Sequence, residues 1–364
     1  MELRHYIIFA VATLLLQLFL YIFNRTLFWL FSGKLTHRLR YFIGSFTFLT
    51  ANGIIFLTIF RIQPLFRLSA LILILLLFSA FISVGLALTY KLLKSFINSS
   101  ILNRTLRAVY PIGMLILVGL SIYNAYTPKV IHYQIELDKP LKAMRIAVAS
   151  DFHLGKLFGS EQIDKLARII EREKADLVLL PGDIMDDNLN AYLAEQMSSH
   201  LAKLKAPLGV YATLGNHDFF GQQQAIADEI NKTGIKVLWD EAVTINNEFV
   251  IVGRNDDLNK ARPTTKRLLQ NVDTNLPVFL MDHRPTEVTE HSALPIDVQV
   301  SGHTHNGQIF PANLIIKAMY RLGYGYEKIA DGHFFVTSGY GFWGIPMRLG
   351  SQSEIFIIDV KGKN

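Results

Sequence analysis

Apolar residues are arranged in two different ways along this chain. As far as residue 126 they come in long unbroken stretches. From about Lys139 they come in short runs separated by polar and glycine-containing turns. Tyr6–Phe23, Tyr41–Phe60, Leu68–Tyr90 and Ala108–Tyr126 contain no Asp, Glu, Lys or Arg. A helix rising about 1.5 Å per residue needs roughly 20 mostly apolar residues to cross a hydrocarbon core about 30 Å thick, so the pattern predicts four spanning helices. Arg4 precedes the first run as it would in a signal peptide. That run is long, however, and three more spans follow without a convincing cleavage site, so it is read as retained. Uncharged stretches joined by basic loops argue against a soluble helical bundle.

Beyond Lys139, β-branched runs alternate with amphipathic stretches, the pattern of an α/β domain. Strands are predicted at Met144–Ser150, Leu177–Leu180, Gly209–Leu214, Phe249–Gly253, Val278–Met281, Val298–Ser301, Phe334–Thr337 and Glu354–Asp359. Helices are predicted at Ser160–Lys174, with Ile163, Leu166, Ile169 and Ile170 on one face, and at Asn190–Lys205. The expected organisation is a transmembrane anchor over 1–130 and a catalytic domain over 131–364.

Charge sharpens this division. Residues 1–127 carry 11 Lys/Arg against one acid, and residues 128–364 carry 25 against 29. The basic excess therefore sits on the anchor. A nucleic-acid footprint would need it on the folded domain, so no nucleic-acid partner is expected. The loops Asn24–Arg40 and Lys91–Arg107 hold eight Lys/Arg, whereas Arg4, Arg61, Arg67 and Lys129 lie on the other side. By the positive-inside rule the eight face the cytoplasm. That orientation makes this a multi-pass membrane protein with its catalytic domain outside the cytoplasm. There is no cysteine, which excludes disulfides and thiolate metal sites.

The chemistry lies just past the strands. Met144–Ser150 runs into Asp151-Phe152-His153, Leu177–Leu180 into Gly182-Asp183, and Gly209–Leu214 into Gly215-Asn216-His217-Asp218. Val278–Met281 runs into Asp282-His283, and Val298–Ser301 into Gly302-His303-Thr304-His305. Ligands of open α/β sheets gather at the carboxyl ends of strands. Carboxylates, imidazoles and an amide carbonyl without thiolate suit Mn, Fe, Zn or Co. Seven such groups exceed the needs of one ion and fit two that share a carboxylate. Such a pair can clamp both oxygens of a phosphoryl displacement. Gly182, Gly215 and Gly302 each precede a candidate ligand, where the backbone must turn tightly.

Taken in order, Asp151-x-His153, Gly182-Asp183, Gly215-Asn216-His217-Asp218, His283 and Gly302-His303-Thr304-His305 resemble the signature of the calcineurin-like metallophosphoesterases. Gly307-Gln308 and the segment Gly341-Phe342-Trp343-Gly344-Ile345-Pro346-Met347-Arg348-Leu349-Gly350 look like the membrane-anchored bacterial branch of that family. The branch includes hydrolases of lipid-anchored substrates such as UDP-diacylglucosamine pyrophosphatases. The resemblance implies a four-layer α/β/β/α sandwich with two mixed sheets. It also implies two divalent metals, one held by Asp151, His153 and His305, the other by Asn216, His283 and His303, with Asp183 bridging. His217, paired with Asp186, would be the catalytic group assisting the leaving oxygen. Phe152 stands where the family often has Leu, and Asp218 replaces a frequent Glu; neither change removes a ligand.

Any one of these histidines alone would be read as structural; it is the set that points to metal. His5, His37, His132, His200, His291 and His333 are read as structural or surface residues. Asp187 and Asp282 are read as supporting or merely polar. Arg348 is the candidate substrate-phosphate contact, since a guanidinium forks onto phosphate oxygens; fixing the C-terminal loop is its other reading. Arg284 is a weaker candidate of the same kind. Leu314–Tyr326 mixes aliphatic, basic and tyrosine residues, which suits a membrane interface or a packed covering helix. The expected activity is metal-dependent hydrolysis of a phosphate ester or pyrophosphate, the substrate being phosphorylated and lipid-linked, and the bilayer is the expected partner. The rivals are a non-catalytic scaffold on the same fold and a transporter or receptor worked by the helices. The full ligand set speaks against the first. Spans without ionisable residues speak against the second.

Overall fold

The computed structural model describes residues 3–363 apart from Gly33, Arg61, Phe220 and Gly221. Of the charges that set the expected orientation, Arg61 lies outside the described residues. The chain separates into two compact units, Met1–Leu120 and Ser121–Asn364.

The first unit is helical. α1 spans Leu3–Leu30, α2 His37–Ile59, α3 Phe66–Leu93 and α4 Ser99–Tyr126. All four contain windows long and apolar enough to cross a membrane. At 28 residues, α3 and α4 are each about 42 Å long. Lipid tails give helices no hydrophobic reason to associate, so small polar groups join them instead. Ser79 Oγ meets Tyr110 OH at 2.7 Å, Thr26 donates to Ser83 at 2.8 Å, Gln17 donates to Asn52 at 2.9 Å, and Trp29 Nε1 donates to Asn103 at 3.1 Å.

The second unit begins inside α4 and holds twelve strands. β1 is Lys129–Leu137, β2 Met144–Val148, β3 Leu177–Pro181, β4 Val210–Thr213, β5 Lys236–Val237 and β6 Glu241–Ile245. β7 is Phe249–Arg254, β8 Val278–Asp282, β9 Val298–Ser301, β10 Gly325–Ile329, β11 Gly332–Val336 and β12 Glu354–Gly362. They form two six-stranded sheets in the orders β1-β12-β2-β3-β4-β5 and β10-β11-β9-β8-β7-β6. Both sheets are mixed. β12 is parallel to β1 and antiparallel to β2, while β7, β8, β9 and β11 run parallel between antiparallel edges.

Period-two alternation builds the layers. Ile146, Val148, Leu177 and Leu179 point between the sheets, where they meet Phe279, Met281, Val298, Val300 and Phe335. Ala147, Val178 and Leu180 point outward to the helix α5 (Ser160–Glu173), whose Ile163, Leu166, Ile169 and Ile170 are buried. The far face of the second sheet packs Val250, Val252, Val278 and Leu280 under Leu269 and Ile296. The result is the four-layer arrangement expected from sequence.

Some elements differ from expectation. Asn190–Lys205 is not one helix: Asn190–Ala194 and Ser198–Leu201 are separated by Gln196, whose φ of 51° interrupts the helical path. The edge strands β1, β5, β6 and β10 were not among the predicted ones, although β1 alternates strictly from Ile131 to Leu137. Within Leu314–Tyr326 only the helix Ala312–Met319 forms, and its tail enters β10.

Candidate metal centre

The candidate ligands leave five strands at their carboxyl ends. Asp151 and His153 follow β2, Asp183 follows β3, and Asn216 and His217 follow β4. His283 follows β8, and His303 and His305 follow β9. The site is therefore assembled from both sheets. Each turn is tight, and Asp151, His153, Asp183, His303 and His305 all have positive φ, between 48° and 70°. Such strain in non-glycine residues clusters at functional sites.

Two sets of donors converge. Asp151, His153 and His305 form one, with His305 Nε2 3.5 Å from Asp151 Oδ1 and 3.1 Å from His153 Nε2. Asp183, His283 and His303 form the other, with His283 Nε2 3.2 Å from Asp183 Oδ2. His153 Nε2 lies 3.8 Å from that same Asp183 oxygen, so Asp183 stands between the sets. Asp183 Oδ1 accepts from the backbone N–H of His217 at 2.8 Å, and both Asp151 oxygens accept from that of His303 at 3.0 and 3.1 Å.

The residues fit divalent cations on their own chemistry. His283 Nδ1 lies 2.8 Å from Pro181 O, a carbonyl that can only accept. The lone pair of neutral His283 is therefore on Nε2, which is buried, lacks a hydrogen-bond partner and faces a carboxylate. Two acceptors so placed need a cation or a proton between them. Asn216 Oδ1 is also buried without a hydrogen-bond partner. Burial holds His153 and His303 down to about 3 and His305 well below its ordinary value, which leaves lone pairs for ligation. Burial opposes ionisation of Asp183, yet His283, His153 and His217 hold its carboxyl well below the usual range. Burial would also neutralise His283, but Asp183 and Asp151 push it up to about 10; with no cation, a proton serves. Burial raises Asp151 to about 6, and burial with the Asp183 charge raises Asp218 to about 7.

Two glycines are needed for close approach. A Cβ on Gly215 would lie 2.2 Å from Asp183 Oδ1, and one on Gly302 would lie 2.2 Å from Asp151 Oδ2. Gly302→Ala is expected to displace Asp151, lower the metal content of its set and cost about 1–3 kcal/mol by overpacking. Metal analysis and a thermal melt check this; no change in either would mean that Asp151 moves freely.

Three sequence readings change. His217 Nδ1 is hydrogen-bonded to Asp187, an acid read from sequence as supporting or merely polar. Asp187 turns at φ 69° and swings its carboxylate to the imidazole, whereas Asp186 Oδ1 lies 3.9 Å from His153 Nδ1. Both acids remain in one cluster with His217. Arg348, the candidate phosphate contact, is fully buried. It donates to Ser338 O at 2.7 Å, to Gly341 O at 3.1 Å through Nε, and to Ser351 Oγ at 3.3 Å, and its Nη2 lies 3.0 Å from His305 Nδ1. It therefore fixes the C-terminal loop against the site. Arg348→Met should cost about 3 kcal/mol or more, since it strands buried acceptors, and should leave KM unchanged in the folded fraction. A raised KM with unaltered melting would restore a substrate contact. Arg284 is engaged with Asp256 at 2.8 Å, and Asp282 is buried against Arg254 at 3.2 Å.

Asp218, given no role from sequence, accepts from the backbone N–H groups of Met185 (2.8 Å), Gly215 (2.9 Å) and Ile184 (3.2 Å). It joins the loops after β3 and β4. Its place directly after Asn216-His217 was the only signal. Trp343, also unassigned, has its ring centre 6.2 Å from that of His217.

Two mixed sheets with His and Asp donor sets at their strand ends are the features expected of a metallophosphoesterase. The family model for calcineurin-like phosphoesterases matches residues 144–307. An uncharacterized metallophosphoesterase of Aquifex aeolicus (strain VF5) is 36% identical over 264 residues, 69% of this chain and 99% of that one. A transmembrane protein with metallophosphoesterase domain from Danio rerio is 26% identical over 69% of this chain and 62% of its own. The crystal structure of a 5'-nucleotidase precursor from Thermus thermophilus superposes with a TM-score of 0.39 at 15% identity, over 60% of this chain and 55% of that one. The chain belongs to the calcineurin-like phosphoesterase family, whose members use divalent metals, and it carries four helices suited to a membrane.

Proposed function

We propose that this protein is a membrane-anchored hydrolase that uses two divalent ions to cleave a phosphate ester or pyrophosphate of a lipid or lipid-linked substrate. The observation that carries this reading is the pair of donor sets meeting at Asp183, with Asn216 Oδ1 and His283 Nε2 buried and lacking hydrogen bonds beside them. Asp151, His153 and His305 would hold one ion. Asn216, His283 and His303 would hold the other, and Asp183 both. Mn, Fe, Zn or Co held there supplies Lewis-acid polarisation of the phosphoryl group and activation of water.

The remaining work belongs to the chain. His217 donates from Nδ1 to Asp187, so it offers a proton at Nε2 to the departing oxygen as the imidazolium. Asp187 orients the ring and favours its protonated form. Asp218 fixes the loops that carry Asp183 and Asn216. The lipid preference rests on the anchor, which confines the site to the neighbourhood of a bilayer. The test is turnover by the full-length protein, with Mn added, across phosphomonoesters, phosphodiesters and nucleotide-linked lipids. Metal-loaded protein inert towards every class would turn the reading to a scaffold.

Orientation is part of the proposal. The eight Lys/Arg of Asn24–Arg40 and Lys91–Arg107 support an orientation with the hydrolase unit outside the cytoplasm. Fusions after Pro128 to a reporter active only outside, and to one active only inside, should light only the first. A cytoplasmic signal reverses the orientation and admits cytosolic nucleotides as substrates.

A further inference from the structure

Shortly after the donor His305, the chain presents a helix whose apolar face is largely exposed. In Ala312–Met319 no residue is buried. Leu314, Ile315 and Met319 are 56%, 58% and 68% exposed, and Phe310 just before them is 40% exposed. Eight residues are too few for a helix to persist in water on propensity alone, and most helical stability comes from an apolar face packed on something.

The surroundings say what that something is. The last turns of α4, a membrane span by length and composition, belong to the hydrolase unit. They are bonded to the loop that follows β11. Arg348 N–H donates to Ser121 O at 2.8 Å, Asn124 Nδ2 donates to Arg348 O at 3.1 Å, and Ser353 N–H donates to Asn124 O at 2.9 Å. The next residue of that loop meets the entry to the apolar helix: Phe310 N–H donates to Leu349 O at 2.6 Å, and Leu349 N–H to Gln308 O at 3.0 Å. Gln308 also holds the loop at Trp343, accepting from its N–H at 2.9 Å and donating to its carbonyl at 3.0 Å. Trp343 itself is 44% exposed. A helix about 42 Å long exceeds a hydrocarbon core of about 30 Å, so the end of α4 emerges among the headgroups. The apolar helix is hydrogen-bonded through one loop to that emerging end.

We propose that Ala312–Met319 lies in the headgroup–acyl boundary of the bilayer that α4 leaves, with Phe310, Leu314, Ile315 and Met319 inserted and Lys317, its only charged residue, among anionic headgroups. Interfacial helices bury an apolar face in this way, and tryptophan settles at the same depth. The metal centre then opens beside the membrane surface, with Trp343 between the inserted face and His217. The proposal rests on the membrane reading of the four helices and not on the catalytic one.

The absence of cysteine makes the test direct. Ile315→Cys and Met319→Cys each give the full-length chain a single site for an environment-sensitive fluorophore. Lys236→Cys, exposed in the edge strand β5, serves as control. In vesicles of phosphatidylethanolamine and phosphatidylglycerol containing lipids spin-labelled near the headgroup, the two helix probes should be quenched severalfold more than the control. The same quenching is expected in an Asp183→Asn background, which separates this result from any failure of the hydrolytic reading. Probes at 315 and 319 that behave like the one at 236 overturn the proposal. So does efficient cross-linking of Ile315→Cys chains to one another without lipid quenching, which would assign the face to a second copy.

Discussion

Asp183→Asn is expected to empty both halves of the metal centre and to reduce kcat by about 100- to 1,000-fold or more. The substitution keeps the size of the side chain and an oxygen for the His217 N–H. What it removes is the charge. One oxygen of Asp183 faces His283 at 3.2 Å and His153 at 3.8 Å, imidazoles that belong to different donor sets. A neutral amide there weakens two sites at once, whereas replacing His153 or His303 weakens one. Metal content after loading with Mn or Zn, measured beside kcat, distinguishes these cases. Two ions retained at wild-type affinity in the Asn variant would remove Asp183 from its bridging place. Saturation of the wild-type protein at a single ion would remove the binuclear reading altogether.

His217→Ala is expected to keep both metals and the fold while losing about 100- to 10,000-fold in kcat, the range of a positioned general acid. Its imidazole is bonded to Asp187, and its ring centre is 4.7 Å from that of His153. The loss should shrink for nitrophenyl esters, whose leaving groups depart without a proton. Asp187→Asn should be harmful, because Asp187 makes the hydrogen bond to Nδ1. Burial opposes the imidazolium of His217, but Asp187 and Asp183 outweigh it and raise its pKa. Removing the Asp187 charge therefore lowers that pKa, and the alkaline limb of the rate profile should move to lower pH. Loss of a metal from His217→Ala would make His217 a ligand. An unchanged kcat on every substrate would take it out of the reaction.

The centre was legible from sequence because its chemistry is local. Each ligand sits within a few residues of a buried strand end, so five short segments name the donors and the sheet topology does the gathering. The anchor was legible for a similar reason, since an uncharged run has few other uses. What failed depends on distant contacts. Asp186 and Asp187 are neighbours that both cluster with His217, and only the folded loop shows that Asp187 is bonded to its Nδ1. Arg348 has the chemistry of a phosphate contact, but the same fork satisfies backbone carbonyls, and only burial tells the two apart. The central strands read as continuous apolar runs because both faces are covered, whereas β1 shows the other signature, apolar Ile131, Tyr133, Ile135 and Leu137 alternating with polar residues, which the predicted strands omit.

The position of β12 bears on how the protein is made. Its residues lie between β1 and β2, with Phe356 opposite Ile131 on one side and Val148 on the other. The strand that completes the first sheet is thus translated about 210 residues after the one it pairs with, as in Ile357 with Ala147. Pairings so remote in sequence close slowly. On the membrane reading proposed above, translation delivers the four helices to the bilayer first, and the first sheet stays open until β12 has been synthesised and threaded between two older strands. Such a nascent chain presents β1 and β2 as open sheet edges at the membrane surface throughout that interval. Placing β12 inside the sheet rather than at its edge leaves two pairings open until it arrives.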